Sequence, residues 1–493
     1  MPPPPVPSFA VLGVVNEGKT SVVATLSEDP NVKPDPTPGA TVLCEAFPIR
    51  IDGREVLRLY DTPGFQNSVR ALAWFREQAK ALPPGTDLLT LFRQTHAGDP
   101  NFFNECELFR PIVEENAGVL YVVDGSSPIG QNYRAEMEML WLSGRPRMAL
   151  INHKDADDDY TAAWETELGK FFNLKRRFNA HRATQGDRLD LLRALQQIDS
   201  RPEWKRGFET AVDAFEQRWV QRRLDAATTV VRLCGDCLGY VEKANYEYEA
   251  EVPGLKRRLE TDYQTNVAAI EGRAHERLVN IYAHPVALEK LDGLDVGLFH
   301  EATWQTLGLT RDQLVWAATA AGALAGGALD AVTAGHTLLA GTVIGGVIGG
   351  AGAFFGGKKL GEVSFDLPGT SRLPTWMTRK GKLGGQQLQA SCRNLDFIFV
   401  LLDRALLLYA ALVNRAHARR DAIRLDGGGD AQAGALKGYT HAWGREARSV
   451  CVEYAASRRE GWRKLPFARR GKAEIEAAFF DQIDGALKGI AGR

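Results

Sequence analysis

The chain is poor in cysteine, with six in 493 residues. That is too few for a disulfide scaffold, and a reducing compartment is the default expectation. It also lacks net charge: the formal balance is −1, so nothing marks a nucleic-acid partner. No repeat of fixed period occurs, which excludes a solenoid or propeller array. The start, "MPPPPVP", has neither the basic segment nor the apolar segment of a secretory signal. Residues 1–7 are expected to form an extended tail outside the core. What remains is an ordinary folded composition, 44% hydrophobic and 25% charged. The length calls for two or three domains.

The first part of the chain alternates strand and helix. "FAVLGV" (9–14) is a continuous apolar run, as a buried parallel strand requires, and a helix over 19–27 follows. "TVLCEAFPIRI" (41–51) and "REVLRLY" (54–60) flank Asp52-Gly53, a hairpin signal. "AGVLYVVDG" (117–125) and "RMALIN" (147–152) are two more buried strands, and "LKRRFNA" (174–180) is a weaker sixth. The expected fold is a mostly parallel sheet with helices on both faces and one antiparallel edge hairpin. Residues 72–113 read as a partly helical insertion, and the domain should run over 8–200.

Gly13-x4-Gly18-Lys19-Thr20 lies between the first strand and the first helix, the context a phosphate-binding loop needs. Its glycines let backbone N–H groups, including those of Glu17 and Ser21, form an anion nest at a helix N-terminus. Lys19 would reach the β- and γ-phosphates, and the Thr20 hydroxyl would ligate magnesium. "YDTPG" (60–64) ends the third strand. Asp61 would hold magnesium through water, and the Gly64 N–H would sense a γ-phosphate. Standing alone, the same letters also spell a plain turn. "INHKD" (151–155) ends another strand. A purine with a 2-amino group offers adjacent N–H donors, and the Asp155 carboxylate would accept both while Asn152 meets the base edge. Asp155, Asp157, Asp158 and Asp159 would also cap a helix.

Together these elements resemble a TRAFAC-class P-loop GTPase, nearest to the TrmE–Era–EngA group, over about residues 8–198. "PGAT" (38–41) is similar to that group's second motif, which makes Thr41 a ligand of magnesium and of the γ-phosphate. "NHKD" is similar to the fourth, with His153 in place of the lysine that stacks on guanine. "FNAH" (178–181) stands where the fifth is expected, with the Ala180 N–H on the base. The resemblance implies GTP and GDP as ligands with Mg2+, and catalytic roles for Lys19, Thr41 and Asn16. The Ras-type glutamine would follow Gly64, but Phe65 is there, so the water must be positioned another way. Asn16 stands where related cation-dependent GTPases ligate potassium, a cation that would act as an arginine finger does. Asn is also a residue that turns tolerate, and both readings stay open.

After residue 200 the texture changes. Residues 203–251 and 255–283 read as two long helices broken at Pro253-Gly254, within a region 201–312. Residues 391–425 and 431–489 are also helical, joined by "DGGGD". Cys234 and Cys237 have zinc or redox spacing but no second ligand pair, and read as structural. "FIFVLLDRALLLYAALV" (397–413) carries Asp403-Arg404 at its middle and reads as a buried helix. Residues 313–357 form a Gly/Ala-rich apolar run. Asp330 and His336 divide it into arms of 17 and 21 residues, near the length of about 20 that spans a bilayer. Two readings stand: a hairpin entering a membrane from the cytoplasmic side, or a close-packed soluble hairpin. The chain as a whole resembles a bacterial GTPase family with an uncharacterised helical C-terminal domain, here 358–493 beyond the hairpin. A membrane-associated GTPase switch follows from the first reading. A membrane or scaffold protein with vestigial hydrolysis is the alternative.

Overall fold

The computed structural model describes residues 6–28, 32, 41–153, 159–198, 201–248, 251–282, 297–299, 303, 307, 364–366, 386–392, 394–415, 438–458 and 470–491. Two compact units result, one centred on Met1–Gln221 and one beginning at Arg222.

The first unit is built on six strands: β1 (Ser8–Leu12), β2 (Glu45–Ile51), β3 (Arg54–Asp61), β4 (Gly118–Asp124), β5 (Arg147–Asn152) and β6 (Lys175–Phe178). They lie in the order β2-β3-β1-β4-β5-β6. Only the β2–β3 pair is antiparallel. Its turn, Asp52-Gly53, has φ of 50° and 77°, the left-handed pair that matches strand twist in a two-residue hairpin. Pro7 is buried and its carbonyl accepts the Arg58 N–H at 3.0 Å. The expected tail therefore joins the fold one residue early.

Successive side chains of a strand point to opposite faces, and β1 shows the consequence. Phe9 and Val11 enter one core with Val22 and Val23 of helix α1 (Lys19–Ser27) and with Leu191 and Leu195 of α7 (Gln185–Ile198). Ala10 and Leu12 enter the opposite core. That core takes its aromatic centre from α2 (Ser68–Ala81), α3 (Leu88–His96) and α4 (Phe103–Glu114), through Phe75, Phe92 and Phe109. The segment expected to be an insertion thus supplies one face of the sheet. Helices α5 (Gln131–Leu142) and α6 (Thr161–Leu168) complete it. The first unit also runs past the expected boundary at 200, because Trp204, Phe208 and Phe215 of helix α8 (Pro202–Gly239) pack into its first core.

The second unit is mainly helical: the rest of α8, α9 (Val252–Ile281), α10 (Phe397–Val413), α11 (Arg445–Ser457) and α12 (Lys472–Ala491). Two expectations are corrected here. Pro253-Gly254 does not break a helix; it lies in the first turn of α9, where a proline's missing N–H has no intrahelical role. Between α8 and α9 runs a strand, β7 (Glu242–Tyr246), paired antiparallel with β9 (Gln386–Ser391), which also pairs with β8 (Ser364–Asp366). Cys234 and Cys237 are fully buried on α8, and burial pushes both thiols up, as a structural role requires. Helix α10 is buried along its length, with Arg404 on Glu271 at 2.6 Å and Asp403 accepting from Thr440. Residues 313–357 lie outside the described residues. Among those described, no helix is long and apolar enough to cross a membrane.

Candidate functional site

The loop from Gly13 to Gly18 leaves the carboxyl end of β1, where a parallel α/β sheet places its ligands. Gly18 has φ of 87° and a Cβ there would strike the Asn152 amide. No L side chain fits that turn, which starts α1. Lys19 is 7% exposed, and its Nζ donates to the Val14 carbonyl at 2.8 Å, folded back over the loop. Asn16 holds φ of 70°, a left-handed conformation that asparagine tolerates better than most residues. Ser21 is buried in the first turn of α1.

Glu17 fastens this loop from beneath. Its carboxylate accepts the Asp124 N–H at the end of β4 and the Tyr133 hydroxyl of α5, the latter at 2.6 Å. Its carbonyl accepts from Asn152 Nδ2 at 3.0 Å, and Asn152 Oδ1 in turn accepts the Ala180 N–H at 3.0 Å. This adds a second part to two residues. The Asn152 side chain and the Ala180 N–H were expected on a base edge. Here they bond to each other and to the loop, so that Asn152 ties the phosphate loop to the 178–181 turn. The Thr25 hydroxyl closes that turn by donating to the Ala180 carbonyl at 2.7 Å. His153 is half-buried, its N–H donates to Phe178, and its Nε2 lies 3.8 Å from Asp159. Asp155 lies outside the described residues.

Asp61, at the end of β3, is 4% exposed. Its Oδ2 accepts the Thr20 hydroxyl at 2.7 Å and the Thr41 hydroxyl at 3.4 Å. Its Oδ1 is buried with no hydrogen-bond partner among the described residues. Burial pushes this carboxyl above the usual range, against the opposing pull of the Thr20 hydroxyl and the Lys19 charge. Thr20, Thr41 and Asp61, expected as metal ligands from separate motifs, thus come together, both hydroxyls on the Asp61 carboxylate. Three hard oxygens with one acceptor left over fit Mg2+, which takes oxygen ligands and keeps several waters. Soft or nitrogen ligands are missing from the set, so it does not suit zinc.

The segment after Asp61 is stitched to the loop. The Thr62 hydroxyl donates to the Val11 carbonyl at 2.7 Å, and the Phe65 N–H donates to the Gly13 carbonyl at 3.4 Å. A Cβ on Gly64 would come within 2.6 Å of the Val15 nitrogen, so the two backbones approach as closely as they do only because residue 64 has none. Phe65 is 5% exposed and packs edge-on against Phe109, with ring centroids 6.0 Å apart. It is a core residue and supplies no polar group to a water.

Two groups here escaped the sequence reading. Glu136 of α5 is 1% exposed and accepts the Tyr121 hydroxyl at 2.8 Å. Burial pushes its carboxyl up to about 8, the Tyr121 bond opposing. Asn104 and Glu105 of α4 contact the backbone beyond Gly64. No local motif announces either, since both act across about 15 to 40 residues of chain.

A strand–loop–helix with an invaginated lysine, a strand-end aspartate and two hydroxyls on it define the N-terminal unit as a P-loop GTPase domain. Residues 8–153 match a family model described as a 50S ribosome-binding GTPase. Residues 166–483, well over half the chain, match the model of a domain of unknown function, DUF3482, and the chain belongs to that family. No curated protein matches it.

Proposed function

We propose that the chain is a guanine-nucleotide switch of the TrmE–Era–EngA type, hydrolysing GTP to GDP and phosphate. The observation that carries this is Asp61: a buried carboxylate that gathers the Thr20 and Thr41 hydroxyls and keeps one oxygen without a described partner. Lys19 would leave the Val14 carbonyl for the β- and γ-phosphates, which offer it a charged acceptor in place of a neutral one. The Gly64 N–H would report the γ-phosphate through the segment stitched to Gly13. Mg2+, held by Thr20, Thr41 and water on Asp61, would neutralise charge on the β- and γ-oxygens. Asp155 would read the guanine 2-amino group. Asn16 would bring a K+ ion against the phosphates, doing the work that Phe65 cannot. The state of the switch would act on the helical C-terminal region, and residues 313–357 would meet a membrane or membrane-protein partner at the cytoplasmic face.

Equilibrium titration of the full chain with labelled GDP and Mg2+ tests the reading, with Asp155→Asn expected to shift preference from guanine to xanthine nucleotides. Competition by ATP as strong as by GTP would overturn the guanine assignment. Equal turnover in sodium and in potassium would remove the cation role of Asn16. Failure of membrane vesicles to retain the protein would remove the membrane part while leaving the switch.

A further inference from the structure

The phosphate loop, the strand-end aspartate and the threonine are held by elements next to them in the sheet. The segment immediately after Gly64 is held by a helix about 40 residues further on. Three residues do this. Glu105 Oε1 accepts two successive backbone donors, the Gln66 N–H at 2.9 Å and the Asn67 N–H at 2.6 Å. Asn104 Nδ2 donates to the Gly64 carbonyl at 3.3 Å. Phe109, one turn on, supports the ring of Phe65. Glu105 is fully buried, and a buried carboxylate there needs such donors to be tolerated at all.

The same helix also holds the segment after Thr41. Glu107 Oε2 accepts the Cys44 N–H at 3.3 Å, and Arg110 Nη2 donates to the Cys44 carbonyl at 2.8 Å. Cys44 stands three residues after Thr41. Helix α4 therefore grips both stretches that flank the γ-phosphate position, and it does so with four consecutive-turn residues on backbone atoms, which makes the grip independent of the side chains gripped.

We propose that α4 is a clamp for GTP hydrolysis, in which Glu105 and Asn104 are positioning residues that fix the Gly64–Asn67 backbone while Glu107 and Arg110 fix Cys44. The proposal rests on the GTPase reading of this unit. Where a water-orienting glutamine after Gly64 is replaced by a core phenylalanine, the geometry of that segment must come from elsewhere, and α4 supplies it. Gln66, whose side chain is exposed and whose N–H is the first that Glu105 holds, is the residue whose placement depends on the clamp most directly.

The test uses the full chain with Mg2+, measuring GDP affinity by titration and GTP turnover under single- and multiple-turnover conditions. Glu105→Ala is expected to lower kcat about ten- to a hundred-fold, the scale of an ångström-sized misplacement, with GDP affinity within about threefold of wild type. Glu105→Gln keeps a carbonyl oxygen for both donors and should restore most of the rate. Hydrogen exchange at the Gln66 and Asn67 amides should quicken in Glu105→Ala and not in Glu105→Gln. Should Glu105→Ala fail to fold, Asn104→Ala and Glu105→Gln carry the test, the first with a few-fold loss of kcat. Unchanged kcat in Asn104→Ala and Glu105→Ala would overturn the clamp, as would a fall in kcat matched by an equal fall in GDP affinity. Absence of turnover in the wild-type chain would instead sink the hydrolytic reading itself.

Discussion

A helix of the C-terminal unit and a strand end of the N-terminal unit treat buried charge in opposite ways. In the C-terminal unit, α10 carries Asp403 and Arg404 through an apolar interior, and each is matched. Arg404 meets both oxygens of Glu271, at 2.6 and 3.2 Å, and both oxygens of Asp403 accept from Thr440. At the end of β3 in the N-terminal unit, Asp61 keeps one buried oxygen with no described partner. A matched buried pair serves the fold and register of the helices that carry it. An unmatched acceptor at a strand end is an invitation to a proton, a water or a cation. The same side-chain type therefore has different surroundings at these two places, and the partners of each oxygen tell them apart.

That contrast can be broken from either side. The largest effect should come from Arg404→Ala, which strands Glu271 in the interior and should cost about 3–5 kcal/mol. Denaturant unfolding checks it, and the double variant Glu271→Leu/Arg404→Met should recover most of the loss. Lys19→Ala should lower guanine-nucleotide affinity about 100-fold or more, measured by titration, with little change in unfolding. Asp61→Asn should lower GTP turnover about 100-fold. Without magnesium it should melt no lower than wild type at pH 8, because burial makes the charged carboxylate the less stable form there. A clear drop in its melting temperature would place Asp61 with the structural charges.

The smallest effect belongs to Glu136. Its carboxyl is pushed from an ordinary 4.5 to about 8 in the fold, so the folded chain holds a proton there that the unfolded chain has lost. The stability this contributes is complete below 4.5 and lost as pH rises to about 8. Wild type should therefore lose melting temperature between pH 5 and pH 8, and Glu136→Gln should lose less. Parallel curves would show that the residue ionises without cost.

The sheet and the loop were legible because their signals are local. Continuous apolar runs marked β1, β4 and β5, and Asp52-Gly53 marked the one hairpin. Thr20 and Asp61 were nameable because their motifs follow strands, and Thr41 through the likeness of "PGAT" to a known motif, though their convergence on one carboxylate was not. Glu105 was illegible: its partners lie 38 and 39 residues away, and an isolated buried glutamate carries no periodic signal. The stretch 72–113 was read as an insertion because it falls between motifs, and the structure shows it filling a core. Strand β7 was missed for the reverse reason, since "EKANY" has no apolar alternation and gains its shape from pairing with a segment about 140 residues on.

The tie made by Glu17 has a thermodynamic consequence. A loop fastened to β4, α5 and Asn152 before any ligand arrives has already surrendered its conformational entropy during folding. Nucleotide entry into it should show little of the ordering penalty that coupled folding imposes, and so a small heat-capacity change beyond that of the base. Cutting the tie with Glu17→Gln or Tyr133→Phe should leave the phosphate contacts intact and yet weaken binding through its entropy alone, an effect that calorimetry at several temperatures separates from a lost contact.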